Sequence, residues 1–463
     1  MTGHLGLEMG RPPLFVNGPV ANPPHATLRR TAWPLTIVVA ASVAGYLAVR
    51  QPLLVGLAVA ILAVAPITLR RPDLLILSAV PLSVVHMLFA YGDNPRLATV
   101  VSVAVGLSLV PAVRSQTVQV RARMGWPLLC AAALAVLLVA STSVPGDYGA
   151  SELPGRFGGL SHLIVLIAGL TLLAAATVMP PNPLVVARLV VVAGAVIATY
   201  ALLDGSYSMG RLDGLGLNCN YLAAVLAPSV GAGIAVARQA RRLSWLVPTA
   251  VCLAAVQQTQ SRGGMLAAVA GVVVALIADR PARQRMAGLG LIAATGALVF
   301  VFRGPLWGVV FGARPTSQLT DDSGRTNVVR AALDAVAEHP INGIGYRMFP
   351  YYAMNDPHVG RYLYTHNDYL GLAAEVGLPA ALILVALLVA GLVMSVGAQL
   401  TPLRAAVTAG AVNLAFANVL VTPVVIAGFW ICLGCLLAHR RRHGVGVDRV
   451  ARLHHRKEEV HAR

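Results

Sequence analysis

Apolar stretches of about 17 to 20 residues recur along almost the whole chain, the length that carries a helix across a hydrocarbon core at about 1.5 Å per residue. Few of them contain a charge. Their centres fall near residues 41, 60, 82, 105, 135, 169, 194, 229, 251, 271, 294, 387, 412 and 431. This pattern predicts an all-α fold, a polytopic membrane helix bundle of about 12–14 transmembrane helices. Thr422-Pro423 is expected to turn the chain between the last two spans rather than interrupt one long helix, because proline cannot continue the helical ladder.

Composition agrees: 57% of residues are hydrophobic and 11% charged, against roughly a quarter charged in a soluble domain. The net charge of +17 suggests nucleic acid until it is sorted by side. Alternating spans put Arg29/Arg30, Arg70/Arg71, Arg114/Arg121/Arg123, Arg238/Arg241/Arg242, Arg280/Arg283/Arg285 and the tail from Arg440 on the side of the N-terminus, and leave the other side close to neutral. That asymmetry marks the basic side as cytoplasmic, with both termini there. No folded basic domain offers a groove that tracks phosphates, so nucleic acid is not a partner, and the basic tail is placed on anionic membrane lipid. Five scattered cysteines do not make a disulfide framework, and Cys432 and Cys435 lie in an apolar span, where packing is the expected role.

The chain divides on this reading into a disordered cytoplasmic segment without a cleavable signal (1–31), a transmembrane bundle (32–302), a large extracytoplasmic loop (303–376), C-terminal transmembrane helices (377–438) and a basic cytoplasmic tail (439–463). The loop gathers polar, aromatic and ionisable residues. Within it Thr326 to Glu338 reads as a helix with Val329, Ala332, Leu333 and Val336 on its apolar face, ended by Asn342-Gly343. Tyr346, Phe349, Tyr351, Tyr352, Tyr362 and Tyr364 follow, suited to anchoring at the membrane interface and, as the alternative, to sugar stacking.

Ionisable groups within spans are few, namely Arg188, His86 and His162, which weighs against a transporter, since carriers place charges near the midplane. The unusual residues gather instead in three outer segments that each adjoin a span: Arg211 to Asn220, Gln260 to Gly264, and Thr365 to Leu370. Arg262 sits in a connection of a few residues, held near the bilayer surface, where it needs an anionic partner. A lipid diphosphate supplies one, gripped in pairs by a planar guanidinium; snorkelling to ordinary phospholipid is the plain alternative. Histidine is the side-chain type suited to a general base near neutrality, and the loop holds His366 besides His339 and His358; a capping or hydrogen-bonding role is the alternative for His366. No spaced set of ligands accompanies it, so no metal is expected.

At these residues the chain resembles the O-antigen ligase and polymerase family of bacterial envelope enzymes. His366-Asn367, nine residues and Gly377-Leu-Pro-Ala380 are similar to the family's His-Asn, nine residues, Gly-x-x-Gly, with Ala380 in place of the last glycine. Arg211 to Asn220 resembles its Arg-x-x-Gly and Asn-x-Asn segment, with Cys219 where proline is common; Ser261-Arg262-Gly263 resembles its short-loop arginine, and Arg325 with Pro340, Gly343 and Gly345 the opening of its large loop. The resemblance spans about residues 205 to 400.

It implies a GT-C-like membrane glycosyltransferase at the outer face of the cytoplasmic (inner) membrane. A glycan would pass from a polyprenyl-diphosphate carrier to the hydroxyl of a glycan, lipid or protein acceptor, without cofactor and with inversion. In that scheme Arg211, Arg262 and Arg325 bind the diphosphate, His366 takes the acceptor proton and Asn367 or a nearby carboxylate orients it, with Asn218, Asn220 and Asp368 secondary; capping the helix after His366 is the alternative for Asp368, and anchoring the loop for Arg325. Ligase and polymerase are both open within the family, and a lipid-linked oligosaccharide flippase is the competing class.

Overall fold

The computed structural model describes residues 72–89, 125–144, 154–208, 210–280, 323–395, 397–420 and 422–439, which fall in the compact unit Ile67–Arg463. They form α1 (Pro72–Phe89), α2 (Trp126–Ser141), α3 (Pro154–Val178), α4 (Pro183–Asp204), α5 (Cys219–Ala240), α6 (Leu246–Gln258), α7 (Arg262–Ile277), α8 (Ser323–Glu338), α9 (Phe349–Asn355), α10 (Asp368–Val376), α11 (Leu378–Met394), α12 (Thr401–Leu414) and α13 (Pro423–Ala438). A small antiparallel hairpin, β1 (Tyr207–Ser208) with β2 (Arg211–Leu212), joins α4 to α5. The expected spans near residues 82, 135, 169, 194, 229, 251, 271, 387, 412 and 431 are all helical. Those near 41, 60, 105 and 294, the segment 1–31, residues 303–322 and the tail from 440 lie outside the described residues.

Among the described residues α4 and α5, at 22 residues each, are long and apolar enough to cross a membrane. The apolar helices α2, α7, α11 and α13 are shorter, at 16, 16, 17 and 16 residues.

Helix α5 is the axis of the bundle, with 83% of its most apolar window buried under α4, α6, α7 and α12. Small residues set these approaches. A Cβ added at Gly231 would lie 2.6 Å from the backbone of Gly271 on α7, and Gly264 abuts Ala223, Gly194 abuts Ser229 and Gly233 abuts Thr249. In lipid, where apolar burial does not favour helix over tail, such backbone proximity is what holds helices together.

Polar contacts then fix the register. Pro228 lies inside α5 and lacks the N–H that would bond the carbonyl of Ala224. The buried Asn413 of α12 donates to that carbonyl from Nδ2 at 3.3 Å, and Ser229 donates to Val190 O on α4 at 2.9 Å.

The contacts also give direction. Gly264 against Ala223 and Gly271 against Gly231 set α7 parallel to α5; Gly271 against Ala405 and Ala409, with Gly263 against Phe416, sets α12 antiparallel to both. The starts of α5 and α7 and the finish of α12 therefore share one end of the bundle. At the opposite end Arg238 donates to Ala275 O and Arg188 lies over the Trp245 ring at 5.6 Å.

Helices α8 to α10 pack as a separate cap with its own apolar cluster, in which Val328, Ala331, Ala332 and Ala335 of α8 meet Ile344, Phe349, Ala353 and Ala374. Three details differ from the sequence reading. Helix α8 starts at Ser323 rather than Thr326, and ends at Glu338 as expected. Its buried face is turned by about one residue: Val329 and Leu333 stay 39% and 54% exposed, because alanines admit the close approach of α10 that branched side chains would block. Tyr346 and Phe349 are buried in protein, not held at a membrane interface. Gly343, at φ +64°, lets the turn lie against the end of α10, where Ile344 N donates to Ala374 O at 2.9 Å and Gly345 N to Glu375 O at 3.0 Å.

Replacing Asn413 by Leu strips the Ala224 carbonyl of its donor. We expect a loss of about 1–3 kcal/mol, read as a lower Tm in detergent, whereas Asn413→Gln retains part of it; an unchanged Tm for the leucine variant would remove Asn413 from this role.

Candidate functional site at one end of the bundle

Arg211 leaves the hairpin half-buried and is fixed twice. Its Nε donates to Thr259 O and its Nη2 to Asn220 Oδ1, each at 3.0 Å, which leaves three of the five guanidinium N–H groups outside these contacts. Gln260 Nε2 adds a contact to Gly210 O at 3.3 Å. The hairpin and the turn before α7 are thus tied together. Asn218 is the N-cap of α5, its Oδ1 accepting from the N–H groups of Asn220 and Tyr221 at 3.0 and 3.1 Å, so Asn218 shapes the helix start and Asn220 holds Arg211.

Ser261 caps α7, accepting from Gly264 N at 3.3 Å, and Arg262 is its first residue, half-buried. The two glycines that follow are required by packing, Gly263 lying against Phe416 and Gly264 against Ala223. Arg262 is thereby held between α5 and the segment after α12.

His366 takes a left-handed backbone, φ +50°, immediately before α10. Burial, and then the charge of Arg325, pushes its pKa below the ordinary value of 6.5, so the imidazole is neutral at pH 7 and is able to accept a proton. Arg325 itself is exposed on the first turn of α8.

Asn367 is the N-cap of α10, its Oδ1 accepting from Leu370 N at 3.0 Å; the oxygen expected to orient His366 is engaged in that cap. Asp368 does not cap the helix. Its buried carboxyl reaches across, Oδ2 accepting from Val419 N at 2.6 Å and Leu420 N at 3.0 Å. Burial pushes its pKa up to about 8 against those two hydrogen bonds and Arg347, which keeps it protonated at neutral pH. Beside it Asn418 Nδ2 donates to Thr365 Oγ1 at 3.4 Å, and Tyr369 OH to Ala411 O at 2.8 Å.

The segment from Ala411 to Leu420 is therefore the joint of the site: one part packs on the turn of Arg262, the next holds the loop of His366. Its role was not visible in the sequence, although two asparagines, Asn413 and Asn418, inside an otherwise apolar run were a signal. Glu375 was missed as well; its Oε1 accepts from Phe349 N at 3.3 Å and fixes the turn into α9. The starts of α5, α7 and α10 converge on this joint, and helix N-termini carry partial positive charge. With Arg211 and Arg262 they make an end of the bundle suited to an anion, beside a neutral base.

Residues 247–385 match the family model of O-antigen ligase. The chain carries an O-antigen ligase family domain. Over those residues the chain is similar to O-antigen ligase. The O-antigen ligase domain runs from α6 into α11 and contains Arg262, Arg325, His366, Asn367 and Asp368; Arg211, Asn218 and Asn220 precede it, and the joint 411–420 follows it. No curated protein matches the chain. Ala380, where the signature has its second glycine, is fully buried on α11, so the helix packing accommodates its methyl group. Gly377, at φ +104°, sits against the backbone of Ile341 and cannot carry a side chain.

A neutral, hydrogen-bond-accepting Asp368 predicts that Asp368→Asn keeps the joint intact while Asp368→Ala costs about 1–3 kcal/mol. The stability that the protonated carboxyl contributes is fully present below about pH 3.8 and is lost as pH rises through about 8. Tm measured from pH 5 to 9 should fall at alkaline pH in the wild type more than in Asp368→Asn; equal slopes would mean that this carboxyl does not titrate there.

Proposed function

We propose that the protein transfers a glycan from a polyprenyl-diphosphate carrier to an acceptor hydroxyl at the outer face of the cytoplasmic membrane. The observation that carries the reading is the convergence, at one end of the bundle and around an O-antigen ligase domain, of Arg211, Arg262, three helix starts and a histidine whose pKa is depressed. That end lies opposite Arg188, Arg238 and the turn of Arg241 and Arg242, the basic side that the positive-inside rule assigns to the cytoplasm. The reading keeps both termini cytoplasmic and treats residues 303–376 as the loop that roofs the site.

Cleaving the bond from the anomeric carbon to phosphate oxygen builds charge on the departing diphosphate. Arg211, Arg262 and Arg325 hold that charge more tightly as it develops, which lowers the barrier, and the helix starts add fixed dipoles that need no reorganisation. His366 takes the proton of the attacking hydroxyl, and attack from the face opposite the diphosphate inverts the anomeric centre. Positive charge comes from arginine on this scheme, so it runs without a metal. Asn367 acts indirectly, by fixing the helix start that presents His366, and Asp368 by anchoring that start to the joint.

The test is glycan transfer in proteoliposomes with carrier-linked oligosaccharide from the producing cell. His366→Ala should lower the rate by about 10² to 10⁴, and Arg262→Ala by about 10- to 100-fold, the worth of one charge-assisted contact. The acid limb of the wild-type rate should have its midpoint below 6.5. Product length separates polymerase from ligase. Full transfer by a folded His366→Ala protein, or carrier crossing the bilayer with no product made, would overturn the reading.

A further inference from the structure

We propose that Tyr351, Tyr362 and Tyr364, locked by Arg347, form a platform for the sugar chain on the approach to His366; this rests on the transferase reading. The three rings come from two separate stretches, α9 and the extended segment before His366, and meet in one cluster. Tyr351 and Tyr362 stand edge to face with centroids 5.2 Å apart, and Tyr362 and Tyr364 likewise at 5.8 Å, with the hydroxyls of the last two 3.4 Å apart. The guanidinium of Arg347 lies 4.5 Å over the ring of Tyr364 and donates from Nη2 to its hydroxyl at 3.0 Å. Arg347 is in turn held by the charge of the half-buried Glu375 on α10, the same side chain that accepts from Phe349 N at the start of α9.

This arrangement distinguishes a platform from a set of membrane anchors. Interfacial tyrosines spread as a belt around a bundle, each reaching head groups on its own. Here the rings share edges and hydroxyls, and the innermost is bound to a half-buried arginine. Two of the rings are half-buried and Tyr362 is 47% exposed, a fixed aromatic surface that loses little entropy on binding. A pyranose offers an apolar C–H face and a rim of hydroxyls, and a tyrosine offers a ring with a hydroxyl at its edge. The placement also fits. Tyr364 stands two residues before His366, a reach of at most about 7 Å of backbone, so a sugar on the outer rings lies within one or two units of the reacting hydroxyl or anomeric carbon.

The experiment measures binding directly on the full chain in nanodiscs, with three probes: oligosaccharide released from the carrier-linked donor, oligosaccharide released from the finished surface polymer, and undecaprenyl diphosphate without sugar. Tyr362→Ala should weaken one or both oligosaccharides by about three- to tenfold and leave undecaprenyl diphosphate unchanged, with Tyr362→Trp binding oligosaccharide at least as tightly as wild type. Loss of the first oligosaccharide alone assigns the platform to the donor, and of the second alone to the acceptor. The proposal is overturned if Tyr362→Ala binds both oligosaccharides like wild type, or if it weakens sugar-free carrier equally, which is the behaviour of an anchor. If undecaprenyl diphosphate binds and Arg262→Ala abolishes it while Tyr362 proves indifferent, only the platform falls; if the wild type binds none of the probes, the transferase reading falls with it.

Discussion

Helix α5 carries a proline through the middle of the bundle because a neighbouring helix supplies the hydrogen bond that proline withholds. In a bilayer no water reaches the bare carbonyl of Ala224, so Asn413 has to stand opposite it, and this demand fixes the register of α12 along α5. Much else depends on that register. It sets Ala405 and Ala409 of α12 against Gly271, and it brings the finish of α12 to the level where α5 and α7 begin. The segment after α12 then lies against both Gly263, next to Arg262, and Thr365, next to His366.

The site that results separates charge states by environment. Arg262 on the first turn of α7, and Arg211 tied to Asn220 on the first turn of α5, add positive charge where the helix starts already favour an anion. His366 and Asp368, two residues apart, are both held neutral at pH 7, the first because burial and Arg325 disfavour the imidazolium, the second because burial disfavours the carboxylate. A charged Asp368 so close would raise the pKa of His366 and, on the proposed scheme, offer the arginines an internal partner that competes with a diphosphate. Burying that carboxyl under the N–H groups of Val419 and Leu420 removes the competitor while using it as a fastener.

Much of this was legible in the sequence. The described helices follow from hydropathy, and the segments of Arg211, Arg262 and His366 stood out because polar residues next to apolar runs are rare. What stayed hidden were pairings between distant parts of the chain. Asp368 read as a secondary site residue or a cap of the helix after His366, because only its local spacing was visible, while its partners are Val419 and Leu420. The face of α8 was misjudged because period alone ranks Val329 and Leu333 above Ala331 and Ala335, whereas the approach of α10 selects for small side chains. Tyr346 and Phe349 read as anchors because aromatic residues near a membrane usually are; their burial depends on a cap that no local pattern announces.

The limits of the O-antigen ligase domain make the same point about function. Residues 247–385 contain Arg262 and His366 but not the elements that set their relation. Arg211 and its partner Asn220 enter from before the match, and the joint from Ala411 to Leu420 from after it. Within the match alone, α7 would lack the α5 and α12 faces against which Gly264 and Gly271 pack, and α10 would lack the backbone donors that hold Asp368. An arginine on one helix and a histidine on another form a site only at a fixed separation, since a displacement of about 1 Å can cost a hundredfold in rate. Here that separation is set by contacts lying outside the matched segment, so on the proposed scheme substitutions in α5 and in the joint would affect transfer as much as those beside His366.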